Sequence, residues 1–546
     1  METDMTSPLE PMPGGGSRQL AALDVSFVDD PAVVKEAASE DYSTHIMPRS
    51  WRSGRGSLAM AWGGLFSAIF WLYIAAIVAV TVGTANALVG ILLSVLAYGA
   101  IAYTLTRYAS KHGLTVALLS RRLFGYFGAA LAPLIFGATA IYYAVFEGSI
   151  VASALQNYFG GGDIRLWYLL VVVYSVPLVM GGVRTWLDKL NGVLLPFYVV
   201  GMIALVIWAS TQHTASVSLP DPGLDLAAPG WLWAFTVYMG VWVMMLYTFD
   251  FARFSKVEDS KFAGVVTFGP VFYFCTLFLN GLVGIFLAAT VPGVVGAAGI
   301  SENGLVEAII STMGVFGLLL IIVSQTRINT ANLYLASSNL NAFASRVFKI
   351  KLSRTSWAVV AGGFVYLIML TDVLSYILRA LAWQGVFVVA WVGIALAHIA
   401  LTRRETGVPE FRPGRLKLVT PAAGVWLLTS ILGIYLVEQG GTVGATWSAP
   451  ITFGLSILGY VATYRFDALL HRPNDPCDEV KDAWETRVRC HACEKSYVAL
   501  EMDRDPRADH QAICAGCAAE DAGFYHAAVQ EAAGANTASA RMVTRA

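Results

Sequence analysis

Four cysteines near the C-terminus are spaced Cys490-x2-Cys493-x20-Cys514-x2-Cys517. Two Cys-x-x-Cys knuckles at that separation can present four thiolates tetrahedrally to one Zn2+, so the spacing reads as a structural zinc site. The segment around them is too short to bury much core, and a metal could supply the missing folding free energy. Cys477 falls outside the spacing and Cys275 falls in apolar sequence, so neither is expected as a ligand. A second set of chemically capable residues lies upstream: Glu147, then Gln325, Thr326, Arg327, Asn329, Thr330 and Asn332 within eight positions, all in apolar surroundings. A charge in hydrocarbon costs at least about 2.5 kcal/mol on insertion scales and is kept where it meets a partner or a wet cavity. These residues are therefore candidates for handling a polar solute or ion.

The elements that must position them are membrane helices. Of 546 residues 56% are hydrophobic and only 13% are Asp, Glu, Lys or Arg, against about 25% charged in an ordinary soluble domain. The charges concentrate at the ends: residues 1–57 hold 14 and residues 464–546 hold 24 of the 73. A net charge of −1 with no basic block excludes a nucleic-acid binder, and the lack of an apolar run before Met60 excludes a cleavable secretory signal. Twelve apolar segments of roughly spanning length lie near 58–80, 87–105, 131–158, 166–181, 191–210, 230–249, 264–290, 305–340, 356–371, 374–401, 419–437 and 448–463. Lys and Arg gather before the first segment and in the even-numbered loops, whereas Arg165 is the one clear basic residue on the opposite side, which puts both termini in the cytoplasm of a multi-pass cell-membrane protein. The expected division is a largely flexible N-terminal tail (1–57), a twelve-helix domain (58–463), a cytoplasmic zinc-ribbon-like tail (464–531) and a disordered end (532–546).

The third and eighth segments are longer than a simple crossing needs, and they are five apart. Two five-helix repeats of inverted topology would make them equivalent, a transporter device that places substrate and ion near mid-membrane.

Three stretches carry a resemblance. They are Asp250-Phe-Ala-Arg253-Phe after Gly240-Val-Trp242; Asn329-Thr-Ala-Asn332-Leu-Tyr; and Tyr108-Ala-Ser-Lys-His-Gly113-Leu-Thr followed by Arg122-Leu-Phe-Gly125. In their order and spacing between about Trp51 and Arg465 the sequence resembles the nucleobase:cation symporter family of purine/cytosine permeases. The resemblance implies an all-α, leucine-transporter-like fold: two inverted five-helix repeats with helices one and six broken at mid-membrane, and two extra helices. It also implies uptake of a flat nitrogen heterocycle coupled to Na+ or H+.

Carried over, the resemblance sandwiches the substrate between Tyr143 (Tyr142 if the register slips by one) and Trp242, each face contributing about 1–3 kcal/mol by analogy with base stacking. Glu147, one turn beyond Tyr143 on the same helix face, stands where relatives often have an amide. Asn332 is the polar contact from the eighth helix, and Gln384 before Gly385 is a weaker candidate. Asp250 and Arg253 look like a gate or loop-anchoring pair.

One departure bears on coupling. In sodium-coupled members hydroxyls of the eighth helix and carbonyls of broken helix one hold Na+, and those hydroxyl positions fall on Thr326 and Arg327. A guanidinium has only donors and cannot ligate Na+. The break in helix one is also poorly marked, since Ser67 to Tyr73 contains neither Gly nor Pro. The reading is thus a proton-coupled importer with Glu147 as the titrating group. A membrane sensor signalling through the zinc ribbon to a cytoplasmic partner is the alternative in another class, and a permease for amino acids or organic cations is the alternative on the same fold. A membrane-embedded enzyme lacks a motif.

Overall fold

The computed structural model describes residues 20–181, 186–296, 299–350, 352–371, 374–466 and 468–543. They form two compact units, Pro31–Leu470 and a smaller one combining Met1–Asp30 with His471–Ala546.

The larger unit is helical. After α1 (Pro31–Ser39) and α2 (Arg55–Trp62) comes α3 (Phe70–His112), whose 43 residues would run roughly 64 Å at 1.5 Å each. That is twice a bilayer core, and Gly83, at φ +77°, divides it into two segments. The first overlaps the end of the segment expected at 58–80, whose beginning is α2, and the second covers the one expected at 87–105. The chain continues through α4 (Val116–Phe124), α5 (Leu131–Phe159), α6 (Ile164–Leu178), α7 (Asp188–Gln212), α8 (Gly230–Met239) and α9 (Val243–Ala252). Next are α10 (Ser260–Phe262), α11 (Pro270–Tyr273) and α12 (Asn280–Thr290), joined by π-helical turns at Ala263–Thr267 and Phe274–Leu279. A short ribbon of β2 (Val295–Gly296) and β3 (Gly299–Ile300) leads to α13 (Glu302–Met313) and α14 (Val315–Val347). The last helices are α15 (Arg354–Met369), α16 (Leu374–Leu401), α17 (Pro421–Gln439) and α18 (Gly441–Thr463), of which α16, α17 and α18 pack together.

Among the described residues six helices are long and apolar enough to cross a membrane, and the pair α8 and α9, bent by 47° at Gly240–Trp242, makes a seventh when taken as one span. The segment expected as one long span at 305–340 is two helices, because Gly314 at φ +57° breaks it between α13 and α14. The 33-residue α14 is long enough to span, but its run from Ser324 to Asn332 lowers its apolarity. It tolerates that run because it sits at the centre: it packs along α5 and against α7 and α15, and every residue from Ser324 to Asn339 is buried in protein.

Residues 20–57, expected to be mostly flexible, are built into both units. In the larger one Met47 N donates to Gly113 O at 2.8 Å, Ser53 N donates to Phe254 O at 2.7 Å, and Tyr42, Ile46 and Met47 are buried. In the smaller one β1 (Val25–Ser26) pairs antiparallel with β4 (Arg487–Arg489), which pairs with β5 (Ser496–Val498). Asp29 accepts from Arg487 Nε at 2.7 Å, and Asp30 accepts from Ser496 N at 3.0 Å. A second ribbon, β6 (Met502–Asp505) with β7 (Gln511–Cys514), leads into α19 (Ala515–Glu520) and α20 (Ala522–Val543). Val488, Cys490, Met502, Ile513, Phe524 and Ala528 form their core. Helix α20 continues through residues 532–543, where low-complexity composition suggested disorder; that stretch is alanine-rich, and alanine is the strongest helix former.

Candidate substrate and coupling site

The first break lies between Trp62 and Phe70, where one 3-10 turn (Leu65–Ser67) and an extended Ala68 replace the α-helix. The sequence marks it with Gly63-Gly64, just before Ser67–Tyr73. A Cβ on Gly64 would lie 2.8 Å from the Arg327 carbonyl oxygen and 2.9 Å from Asn191 Nδ2, so glycine is what lets this turn press on α14.

Side chains of α14 hold the break open. Ser67 Oγ donates to Ser324 O at 3.2 Å, and Ser324 Oγ donates to Ser67 O at 2.5 Å. Gln325 accepts from Ile69 N through Oε1 at 3.2 Å and donates through Nε2 to the Glu147 carboxylate, so one amide links the start of the second half-helix to α5. Arg327 Nη2 donates to Gly63 O at 2.7 Å, and its Cζ lies 5.8 Å from the Tyr198 ring centroid. Gly63 follows the last residue of α2, where the helix dipole favours a cation. Arg327 and Glu147 thus bind different partners. Thr326 does not share the Arg327 site: its hydroxyl is 3.1 Å from Tyr174 OH of α6.

The second break places Trp242 at the start of α9, with its ring edge-on to Phe453 (5.2 Å) and Tyr98 (6.2 Å). Tyr98 OH donates to Tyr238 O at 2.7 Å and ties α3 to the end of α8. A Cβ on Gly385 would collide with the Gly240 carbonyl oxygen, so the Gln384-Gly385 pair sits against this break. Tyr143 is buried and packs edge-on to Phe70 at 5.9 Å, whereas Tyr142 is partly exposed. Asn332 Oδ1 accepts from Tyr247 OH at 3.4 Å, and Tyr247 lies within electrostatic reach of Tyr143 and Glu147.

On the candidate side chains four buried polar atoms have no protein partner: Trp242 Nε1, Asn332 Nδ2, Asn329 Oδ1 and Gln384 Oε1. They are two donors and two acceptors on side chains borne by α9, α14 and α16. Sequence reasoning missed Gln325, Ser67, Ser324 and Tyr247 as organisers. Gln325 was visible in the polar run, but its face was not.

Asp250 and Arg253 anchor two different segments. Asp250 Oδ1 accepts from Val116 N at 2.8 Å, at the first turn of α4. Arg253 donates to Asp250 O (3.0 Å), Tyr42 O (3.0 Å) and Asp41 O (2.7 Å), and Asp41 and Tyr42 are both left-handed, at φ 52° and 55°.

In the smaller unit the sulfurs of Cys490, Cys493, Cys514 and Cys517 all lie within 4.8 Å of one another, Cys493 and Cys514 at 3.9 Å. Four thiolates about 2.3 Å from a tetrahedral metal would be about 3.8 Å apart, so the cluster is compatible with one ion. Cys514 N donates to Cys490 Sγ (3.3 Å) and Cys517 N to Cys514 Sγ (3.4 Å). Cys477 stands apart, donating to Ala499 O at 3.5 Å.

No family model matches the sequence, and no curated protein is similar to it in sequence. Solved structures are similar in fold. The nucleobase-cation-symport-1 family transporter Mhp1, closed with bromovinylhydantoin bound, superposes with a TM-score of 0.60 at 16% identity, over 77% of this chain and 93% of that one. Inward-facing Mhp1 gives 0.55 at 15% identity over 77% and 93%. A substrate-bound, outward-open Na+-coupled sialic acid symporter gives 0.54 at 15% identity over 80% and 97%. The chain therefore has the leucine-transporter-like fold of secondary transporters, with its inverted-repeat helices.

Proposed function

We propose that the chain imports a nucleobase or related flat nitrogen heterocycle across the cell membrane on twelve spans, with both termini cytoplasmic, driven by protons and not by sodium. The observation that carries this reading is that candidate side chains keep unpartnered buried atoms: Trp242 Nε1, Asn332 Nδ2, Asn329 Oδ1 and Gln384 Oε1. Buried polar groups in folded proteins are nearly always hydrogen-bonded, and a heterocycle edge that alternates N–H and C=O offers complements to two donors and two acceptors. Trp242 and Tyr143 supply the aromatic faces.

Coupling rests on Arg327. Its guanidinium holds the Gly63 carbonyl at the end of the first half-helix, so a fixed charge of the chain makes the contact between helices one and eight that a bound cation would otherwise make. Glu147 then carries the exchangeable proton, and Gln325 relays its state to Ile69 at the break. In the tail the four cysteines hold structural Zn2+. Purified protein in proteoliposomes tests the whole: labelled nucleobases and related heterocycles are screened for uptake under sodium and proton gradients imposed separately. Uptake of amino acids or organic cations alone would replace the substrate assignment.

A further inference from the structure

The larger unit holds a polar cleft whose lining shares no residue with the two breaks. It is lined by Ser43, Thr44, Arg121 and Arg346 against the small side chains of Ala129 and Ala342. Arg346 lies in the last turn of α14 with its Cζ 3.2 Å from the Tyr126 ring centroid, and Arg121 faces the same ring at 5.7 Å. Arg121 reaches Phe411 O at 3.4 Å, but Nε, Nη1 and Nη2 of Arg346 are buried with no acceptor. Arg346 therefore does not cap its own helix, the ordinary use of a basic residue there. The nearby carboxylate of Glu40 is engaged by Thr44 Oγ1 at 2.5 Å and Asn341 Nδ2 at 2.7 Å.

Two guanidinium groups on one ring in one cleft, one of them with its whole donor fork unused, are a donor set that recognises phosphate oxygens. We propose that this cleft binds a phosphate group, carried by an anionic phospholipid or free in solution. The surroundings favour the lipid. Phe127 and Phe348 are 62% and 61% exposed beside Tyr126 and Arg346 in sequence, and Phe127 N donates to Leu418 O, next to the exposed Val419. An apolar rim beside a basic cleft at a helix end suits acyl chains and a headgroup.

The test uses the full purified chain, delipidated and then given phosphatidylglycerol, phosphatidylcholine or inorganic phosphate, with bound lipid read by mass spectrometry and Tm by scanning fluorimetry. Phosphatidylglycerol should be retained and should raise Tm above phosphatidylcholine. Arg346→Gln should cut that retention by about tenfold, as expected for loss of a bidentate guanidinium–phosphate contact, while Arg404→Gln, at an exposed arginine, should not. If inorganic phosphate raises Tm, the rise disappears in Arg346→Gln and the two lipids bind alike, the same cleft belongs to free phosphate. Should Arg346→Gln not fold, Arg346→Lys keeps the charge but not the fork and should weaken binding about threefold. Lipid retention and phosphate response equal to wild type in the folded Arg346 variant would overturn the proposal.

Discussion

Arg327 Nη2 lies 2.7 Å from the carbonyl oxygen of Gly63, which joins the buried centre of α14 to the end of α2. Uptake into proteoliposomes should therefore be insensitive to a sodium gradient and stimulated by an inward proton gradient. Stimulation by sodium at constant pH and zero membrane potential would defeat the coupling scheme.

Removing that charge should be felt in the fold as well. Arg327→Ala leaves the part-buried Gly63 carbonyl without its donor, and a hydrogen bond to a charged group contributes about 1.5–3 kcal/mol. A lower Tm than wild type is expected in detergent, and an unchanged Tm would mean that the contact contributes nothing.

Glu147→Gln preserves an acceptor oxygen for Gln325 Nε2, so the link to the first break should survive while the exchangeable proton does not. The variant is expected to bind substrate and to lose the stimulation by a proton gradient. Retained stimulation would move the titrating group elsewhere.

Trp242→Ala removes a stacking face worth about 1–3 kcal/mol, and about tenfold or more in the substrate dissociation constant. Calorimetry on the purified variant reads this directly. An unchanged constant would take Trp242 out of the site.

The sequence made some of this legible and not the rest, for reasons of range. The cysteine spacing is local chemistry, so the four sulfurs could be grouped from sequence. The aromatic and amide candidates came from motif order, which fixes position along the chain. Facing was harder: Thr326 and Arg327 are neighbours in sequence but about 100° apart around a helix, and they meet α6 and the first break respectively. The break in helix one is marked by Gly63-Gly64, where α14 approaches, and not within Ser67–Tyr73. Strand β1 is two residues long and finds its partner more than 400 residues away, so no periodicity could announce it.

That pairing makes the cysteine-bearing fold depend on both ends of the chain. The fold around the cysteines includes residues from both ends of the chain: Val25 and Ser26 extend the sheet, Asp29 pairs with Arg487, and Asp24 O accepts from Arg489 N. A C-terminal fragment alone would expose the β4 edge, so the full chain is the proper sample. It should carry one Zn2+ per chain by elemental analysis, and a chelator or Cys490→Ser should make residues 20–30 and 487–514 accessible to protease together, since metal binding and folding are coupled in so small a core. Absence of stoichiometric zinc, or protection that outlasts chelation, would count against a metal-held unit. Deleting residues 471–546 then separates transport from sensing. Uptake that survives the deletion leaves the membrane body a transporter in its own right, and uptake abolished in a chain that still binds substrate would favour a body that signals through its tail.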